Sequence, residues 1–495
     1  IWQPDNCIQC NRCAYVCPHA VIRPIALTEE EAANAPEGMD MIDMIGMPNM
    51  KFSIAVSAYD CTGCGSCANV CPGKKGEKAL VMGNMEANAG RQTFFDYGTE
   101  LPIKPEVVAK FKETTVKGSQ FKQPLLEFSG ACAGCGETPY AKLITQLFGD
   151  RMYIANATGC SSIWGNSSPS TPYTVNPQGR GPAWSNSLFE DNAEFGYGML
   201  LAQNTIRERL KASVEKLAEN GVNDDVKAAA QEYLDTFSVG ATNGTATDKL
   251  VKALEDCDCG CAERAELLKN KDFLAKKSQW IFGGDGWAYD IGFGGVDHVL
   301  ASGQDINIMV FDTEVYSNTG GQSSKATKTG ATAQFAAGGK ETKKKDLAGI
   351  AMSYGYVYVA QIAMGADFNQ TVKAIAEAEA YPGPSLIIAY APCINHGIKK
   401  GMSKAQTEEQ LAVECGYWNN FRFNPEAEKK FTLDSKEPKG DYQEFLNGEV
   451  RYNALMRANP EKAQRLFAQN EAEAMERYEY LKGLVNLYDG TAKED

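Results

Sequence analysis

The cysteines near the N-terminus have the spacing that most clearly predicts chemistry in this chain. Two segments follow the pattern C-x2-C-x2-C-x3-C-P, one from Cys7 to Pro18 and the other from Cys61 to Pro72. Three closely spaced thiolates can bind three irons of a cubane, and the fourth cysteine, just before proline, can reach a neighbouring cluster. The repeated motif therefore predicts two 4Fe-4S clusters that exchange their fourth ligands.

This exchange defines two cluster sites. The first cluster site comprises Cys7, Cys10, Cys13 and Cys71, and the second comprises Cys61, Cys64, Cys67 and Cys17. Zinc and disulfides are the alternatives. Zinc sites usually use two C-x2-C pairs, and disulfides leave the repeated third cysteine and the proline unexplained. The spacing therefore favours iron–sulfur clusters over both.

Residues 1–85 resemble the two-cluster bacterial ferredoxins, which implies an α+β domain of that type. The 43 residues between Cys17 and Cys61 are more than such a domain needs, so we expect an inserted loop over 20–58. Five methionines between Met39 and Met50 indicate an adaptable packing surface in this loop. Residues 86–124 contain several prolines without clear periodicity, which predicts a linker.

An α/β pattern follows over residues 125–425. Five apolar, strand-like runs alternate with helical segments, which predicts a doubly wound domain with a mostly parallel sheet. The runs are 152–155, 280–282, 306–311, 356–361 and 385–390. Ligands of such sheets bind at the carboxyl ends of the strands. The residues just after each run are therefore candidates for a site.

Two of these strand ends carry glycines and oxygen ligands. Gly284, Asp285 and Gly286 follow the second run, and Thr313 and Val315 follow the third run about 28 residues later. Mg²⁺ prefers hard oxygen ligands, and glycine amides at the start of a helix can approach a phosphate. The pattern suits a Mg²⁺-bridged diphosphate, although G-D-G alone is more typical of a tight strand-to-helix turn.

The combination of both patterns resembles the pyruvate:ferredoxin (flavodoxin) oxidoreductases, specifically their C-terminal portion, over nearly the whole chain. The segments that carry the resemblance are 130–137, 157–162, 320–327 and 391–393. Thiamine diphosphate enzymes have an asparagine where this chain has Thr313, whose hydroxyl is a weaker Mg²⁺ ligand. The resemblance implies that Asp285, Thr313 and the Val315 carbonyl bind Mg²⁺. It also implies that Asn318 lies near the thiazolium and the substrate as a catalytic residue.

A third 4Fe-4S cluster close to the thiamine ring is also implied by the resemblance. The third cluster site comprises Cys132, Cys135, Cys160 and Cys393. Cys160 and Cys393 each follow a predicted strand, so both can reach one edge of the sheet. Without the resemblance, Cys132 and Cys135 fit a redox pair or half of a zinc site equally well.

The resemblance implies oxidative decarboxylation of a 2-oxoacid, with pyruvate as the expected substrate. Coenzyme A would receive the acyl group as acetyl-CoA, CO₂ would leave, and electrons would pass from thiamine diphosphate through three clusters to ferredoxin or flavodoxin. An enzyme for 2-oxoglutarate or indolepyruvate is one alternative, and a pure iron–sulfur electron-transfer module is another. We assign no glutamate that activates the aminopyrimidine. We therefore expect a missing N-terminal region or subunit to complete the thiamine site, within a homodimer of the complete enzyme.

Composition limits the partners of this chain. The formal net charge of −14 argues against a broad cationic surface for nucleic acid. No apolar run reaches the ~18 residues that a membrane-spanning helix needs. We therefore expect no nucleic-acid or membrane partner, and a cytoplasmic protein. The resemblance adds a role in anaerobic metabolism.

Four features lie outside these motifs. Cys257, Cys259 and Cys261 fall in a predicted helical insertion, 204–278, and their spacing could trap a metal, although surface thiols are more typical. The lysine run over 340–345 is predicted to be a solvated face. His396 is interpreted either as a neighbour of the third cluster or as a structural histidine. The charged segment 426–495 is predicted to be a helical tail.

Overall fold

The computed structural model of the chain describes residues 1–166, 171–220 and 223–488. Within these ranges the strands, numbered in chain order, are β1 Ile22–Leu27, β2 Ile42–Asp43, β3 Lys51–Val56, β4 Met152–Ala157, β5 Ala183–Ser187, β6 Ser278–Gly284, β7 Asn307–Asp312, β8 Val315–Tyr316, β9 Gln322–Ser323, β10 Tyr358–Ile362, β11 Ser385–Tyr390, β12 Phe421–Phe423 and β13 Phe431–Leu433.

The helices connect these strands and flank them. The α-helices are Arg12–Tyr15, Glu29–Ala33, Ser66–Val70, Met85–Asn88, Gln92–Glu100, Pro105–Lys110, Val116–Ser119, Thr138–Phe148, Cys160–Asn166, Asn192–Asn220, Asp224–Asp235, Gly240–Glu255, Ala262–Lys269, Phe293–Ala301, Leu347–Met352, Phe368–Ala380, Ala405–Glu414, Tyr442–Asn447, Val450–Ala458 and Pro460–Tyr488. A π-helical turn spans Gly286–Ile291. No helix in the described ranges combines the length and the apolar character needed to cross a membrane.

The N-terminal domain contains an antiparallel sheet in the order β1-β3-β2. Residues of β1 pair with β3 from Ile22 opposite Val56 to Leu27 opposite Lys51. The prediction of an inserted loop over 20–58 is therefore wrong for the two ends of this segment. Both strands are rich in buried apolar residues, so pairing them buries side chains that a loop would leave in water.

The segment 86–124 is helical in part, whereas its sequence predicted a linker. Pro105 occupies the first turn of a short helix, where its missing N–H costs no hydrogen bond. Phe95, Val107 and Phe121 are buried against the N-terminal domain. Pro105 thus marks a helix start in a segment that extends the N-terminal core.

The second domain is built on an eight-stranded sheet in the order β13-β12-β10-β11-β7-β6-β4-β5. The six strands from β10 to β5 are parallel, and β12 and β13 add an antiparallel edge. Alternate residues of β6 enter different cores, with Ile281 on one face and Trp280 and Phe282 on the other. A strand buried on both faces is expected at the centre of a parallel sheet. The predicted doubly wound α/β class is confirmed.

Two helical regions flank this sheet. The first begins at Asn192, twelve residues before the predicted insertion 204–278, and Leu210, Tyr233 and Leu250 form a small core of its own. The second lies in the region predicted as a helical tail, 426–495, which begins with the edge strand β13. Its later helices bury Leu466 and Phe467 in the main core, so this region packs on the sheet.

Candidate iron–sulfur and diphosphate sites

Two cavities in the N-terminal domain divide the eight motif cysteines into the two sets named from the sequence. The first cavity is lined by Cys7, Cys10, Cys13 and Cys71. The second, of about 180 Å³, is lined by Cys17, Cys61, Cys64 and Cys67. The fourth cysteine of each motif therefore lies in the cavity of the other motif. This is the arrangement that exchanged cubane ligands require.

Left-handed backbone conformations bend the two cysteine loops around these cavities. Gln9 and Asn11 have φ angles of 56° and 60° in the first loop, and Gly63 and Gly65 have 69° and 82° in the second. Left-handed residues let consecutive amides point to one side. The amide of Gln9 donates to Cys7 Sγ at 3.3 Å. Such donors favour thiolate charge.

The chemistry of these cysteines fits a metal cluster. Burial, together with nearby cysteines, raises the pKa of Cys67 to about 12 and that of Cys13 well above its ordinary value. Buried thiolates need positive charge, which iron supplies. Within the described ranges, no three His, Cys, Asp or Glu side chains are placed to hold one metal ion. The exchange of the fourth cysteine between the two cavities fits cubanes, whose cysteines bind different irons, better than it fits single zinc ions.

The third cluster site gathers cysteines from three parts of the second domain. Cys160 starts a helix directly after β4, and Cys393 follows β11 at the same edge of the sheet. The Cys132–Cys135 loop precedes the helix Thr138–Phe148. Burial raises the pKa of Cys393 to about 12, with smaller raising contributions from Glu137 and Cys132 included in that value. The structure thus brings these four thiols together.

His19 lies between the second and third cluster sites. Its Nε2–H donates to the carbonyl of Ala131 at 2.9 Å, and its Nδ1 lies 3.5 Å from Thr62 Oγ1. Ala131 precedes Cys132, and Thr62 follows Cys61. A single buried side chain therefore connects the loops of the two sites.

The predicted metal ligands of the diphosphate site are adjacent to one another. Thr313 Oγ1 lies 3.0 Å from Asp285 Oδ1 and 3.0 Å from the Val315 carbonyl oxygen. Asp285 follows β6, and Thr313 follows the neighbouring strand β7. The set offers a carboxylate, a hydroxyl and a carbonyl, which are oxygen ligands suited to Mg²⁺.

The surroundings of Asp285 also fit a bound cation. Burial and the neighbouring Asp312 carboxylate raise the pKa of Asp285 well above its ordinary value. Ser324 Oγ donates to Asp285 Oδ2 at 2.6 Å, which fixes the carboxylate orientation. A divalent cation would balance this buried negative charge.

The glycines of the G-D-G segment have different surroundings. A Cβ atom added to Gly286 would lie 2.5 Å from the Tyr316 ring, so this position requires glycine. A Cβ at Gly284 would meet only the Phe311 carbonyl, at 3.9 Å. The helical segment that follows Asp285 begins as the π-helical turn Gly286–Ile291. Asn318, the predicted catalytic residue, is exposed in the turn that follows β8.

Lys344 pairs with two carboxylates of the predicted metal-binding loop, residues 312–315. Its Nζ lies 2.7 Å from Asp312 and 3.1 Å from Glu314, both fully buried. Although burial opposes ionisation, Lys344 and Arg451 keep the pKa of Glu314 below its ordinary value. Lys340 also turns inward, to the carbonyls of Ser324 and Thr327. The prediction of a solvated lysine face is therefore wrong for Lys340 and Lys344.

His396 is a structural histidine that contacts the same loop. It is completely buried, and its Nε2–H donates to the Thr313 carbonyl at 2.7 Å. Burial and Arg451 lower the pKa of His396 to about 3. The ring is therefore neutral, and it links the segment after Cys393 to the metal-binding loop.

The third cluster site and the diphosphate site share one loop. Cys160 Sγ lies 3.1 Å from Ser317 Oγ, and Asn395 donates to the Ser317 carbonyl at 3.2 Å. Ser317 follows the Val315–Tyr316 strand. The predicted third cluster site and the predicted diphosphate site are therefore adjacent to each other.

The remaining cysteines lie apart from these sites. Cys259 Sγ and Cys261 Sγ are 2.6 Å apart in the helical region, and Cys257 is buried beside them. Cys415 is buried at the end of the helix Ala405–Glu414. Neither group contributes to the three cluster sites.

Sequence reasoning did not identify several residues that support the site. Ser324 and Lys344 bind the carboxylates around the metal loop, and Tyr289 Oη donates to Asp312 at 2.8 Å. Ser324 belongs to the segment 320–327 that carried the resemblance, so the sequence did mark this region as part of a site. Lys344 has no such signal, because a lysine run has the same appearance whether it is exposed or folded inward.

The fold and its sites define a class of protein that joins a ferredoxin-like dicluster domain to a thiamine diphosphate-binding α/β domain. Residues 6–75 match the family model of the 4Fe-4S dicluster domain. Residues 265–389 match the model of the thiamine pyrophosphate enzyme C-terminal TPP binding domain.

Curated relatives extend these matches to nearly the whole chain. It is 56% identical to a pyruvate-flavodoxin oxidoreductase of Enterobacter agglomerans and 57% identical to a pyruvate:ferredoxin oxidoreductase of Moorella thermoacetica. Both alignments cover 98% of this chain and 42% of the relative. A mitochondrial NADP⁺-dependent pyruvate dehydrogenase of Euglena gracilis is 48% identical over 94% of this chain and 26% of its own length. The resemblance to the pyruvate:ferredoxin (flavodoxin) oxidoreductases is confirmed, and the chain spans about two fifths of the length of the first two relatives.

Proposed function

We propose that the chain takes part in oxidative decarboxylation of pyruvate to acetyl-CoA and CO₂, with coenzyme A as co-substrate. The contact between Cys160 and Ser317 carries this proposal, because it joins the third cluster site to the loop of the diphosphate site. An electron-transfer module alone would have no need of a buried, oxygen-rich constellation at Asp285. The geometry therefore favours an enzyme over such a module.

Thiamine diphosphate, Mg²⁺ and three 4Fe-4S clusters are the proposed cofactors. Asp285, Thr313 and the Val315 carbonyl would bind Mg²⁺, while Gly284 and Gly286 leave room for the diphosphate. Asn318, which follows Ser317 in the same turn, would contact the substrate. When bound, thiamine diphosphate supplies the electron sink for decarboxylation, and the clusters accept electrons one at a time.

The proposed acceptor is ferredoxin or flavodoxin. The positions of the sites support a path that leads from the third cluster site across His19 to the second, and then to the first. The relatives named above differ in acceptor, since one is a flavodoxin, one a ferredoxin and one an NADP⁺ enzyme. Two low-potential clusters in a ferredoxin-like domain favour a small electron carrier.

A further region or subunit is proposed to complete the thiamine site. The chain spans about two fifths of two of the relatives named above, and we assign none of its glutamates to the aminopyrimidine. Losing such acid–base assistance typically costs ~10²- to 10⁴-fold in rate. We further propose that the complete enzyme is a homodimer in the cytoplasm. We also propose that its substrate is pyruvate, and not 2-oxoglutarate or indolepyruvate.

Cofactor binding and turnover test these proposals separately. The purified chain, reconstituted with iron and sulfide under anaerobic conditions, should bind thiamine diphosphate with Mg²⁺ in a calorimetric titration. Asp285→Asn should weaken this binding, while Asp248→Asn, in an exposed ion pair with Arg180, should not. Absence of binding by the wild-type chain would favour the electron-transfer module.

The chain alone, given pyruvate, coenzyme A and an acceptor, should reduce the acceptor very slowly. Addition of the remaining region of a full-length relative should restore turnover. Fast turnover by the chain alone would contradict the proposed division of the thiamine site.

A further inference from the structure

Lys142 is a buried cation at the junction of the two domains. It belongs to the helix Thr138–Phe148 of the second domain, and only 2% of the residue is exposed. Its Nζ donates to the carbonyls of Ala14 and Tyr15 in the N-terminal domain, the latter at 3.1 Å. Ala14 and Tyr15 lie between Cys13 of the first cluster site and Cys17 of the second.

The charge of Lys142 has no carboxylate partner in the described part of the chain. Burial lowers the pKa of Lys142 to about 8, and the negative groups that oppose this lowering are Cys17 and Cys13. A buried charge without compensation is strongly unfavourable. Apart from the two carbonyl acceptors, the negative groups that act on this charge are therefore those of the two cluster sites.

Arg23 provides a contrast at the same junction. It also lies near Cys17, but its guanidinium forms an ion pair with Glu127. The pair adds little net charge to the surroundings of the second cluster site. Lys142 is thus the unpaired cation between the first and second cluster sites.

We propose that Lys142 sets the reduction potentials of the clusters at the first and second cluster sites. This inference rests on the proposed function, because it requires both clusters. One-electron reduction adds one negative charge to a cluster, and no bond to protein is formed or broken. A nearby cation in a medium of low dielectric stabilises the added charge more than the oxidised state. Lys142 therefore raises both potentials and favours electron entry from the third cluster site.

Two neutral variants separate the charge of Lys142 from its packing. Lys142→Met removes the charge and the hydrogen bonds, whereas Lys142→Gln removes the charge but keeps an N–H donor. Lys142→Arg keeps the charge. Lys343→Met is a matched control, because Lys343 is exposed and pairs with the Glu476 carboxylate.

The measurement is a redox titration of the reconstituted full chain with dithionite, followed by EPR. Both neutral variants should shift the first and second clusters to lower potential and leave the third cluster unchanged. Lys142→Arg and Lys343→Met should match the wild type. Unshifted potentials in Lys142→Gln, or equal shifts of all three clusters, would overturn the inference.

Iron content distinguishes failure of this inference from failure of the proposed function. The wild type should contain about twelve irons per chain, the total of three cubanes. Iron loss in both neutral variants, with iron retained in Lys142→Arg, would show a role in assembly and would overturn the tuning role. A wild-type chain without iron would overturn the proposed function and this inference together.

Discussion

Thr313 binds one oxygen of Asp285 twice, through its backbone N–H at 3.2 Å and through Oγ1 at 3.0 Å. This double contact joins the ends of two neighbouring strands, β6 and β7. It also explains how threonine can replace the asparagine that thiamine diphosphate enzymes have at this position. The hydroxyl reaches both Asp285 and the Val315 carbonyl, so all three proposed Mg²⁺ ligands are held together.

Thr313→Val should weaken Mg²⁺ and thiamine diphosphate binding. The variant keeps the shape and the backbone donor but loses the hydroxyl, and a hydrogen bond to a charged group contributes about 1.5–3 kcal/mol. The dissociation constant should therefore rise at least about tenfold. Calorimetric titration measures it. Thr313→Asn restores a polar ligand and should bind close to wild-type strength. Wild-type binding by Thr313→Val, with unchanged cluster content, would contradict a direct role for the hydroxyl.

Cys393→Ser should remove the third cluster alone. Cys393 joins the site from the end of β11, far in sequence from the other ligands, and a cubane without its fourth cysteine is destabilised. Iron should fall from about twelve to about eight per chain. Cys415→Ser is the control, because Cys415 is buried away from the sites and should leave twelve irons. An unchanged third EPR signal in Cys393→Ser would remove Cys393 from the ligand set.

Adjacent lysines should differ strongly in their contribution to stability. Lys344→Met leaves the buried Asp312 carboxylate without its cation and leaves Glu314 paired with Arg451 alone, and breaking a buried pair costs about 3–5 kcal/mol. Lys343→Met breaks only an exposed pair with Glu476, whose attraction is screened by solvent, so its loss should change stability little. Thermal unfolding of the two variants compares them directly. Similar midpoints would show that Lys344 is not the counter-charge of the metal loop.

The sequence predicted those parts of the fold that depend on local patterns. The central strands of the parallel sheet were predicted because their apolar runs are buried on both faces, and the cysteine motifs were predicted because spacing alone limits their partners. The paired strands β1 and β3 were missed because antiparallel pairing over a long connection depends on contacts distant in sequence. The role of Lys344 was missed for the same reason: its partners are Asp312 and Glu314, about thirty residues earlier.

Glu409 should make the stability of the chain decrease as pH rises. This fully buried carboxyl contacts Tyr140 Oη at 3.1 Å and the Gly365 amide at 2.7 Å, and burial raises its pKa to about 8. A group whose pKa is higher in the folded state than in the unfolded state takes up a proton on folding. Its contribution is therefore complete below the ordinary glutamate pKa and is lost as pH rises from there through about 8.

Glu409→Gln tests this pH dependence, because glutamine cannot ionise and imitates the protonated acid. Thermal unfolding of the reconstituted chain should show a smaller decrease in midpoint between pH 6 and pH 8.5 for the variant than for the wild type. At pH 8.5 the variant should be the more stable protein. Glu414→Gln, at the end of the same helix, serves as a control and should follow the wild type, since its carboxyl accepts a hydrogen bond from Gln410 at an exposed position. If Glu409→Gln and the wild type lose stability in parallel across this range, then Glu409 is ionised in the folded chain, and its contacts with Tyr140 and Gly365 stabilise the anion instead.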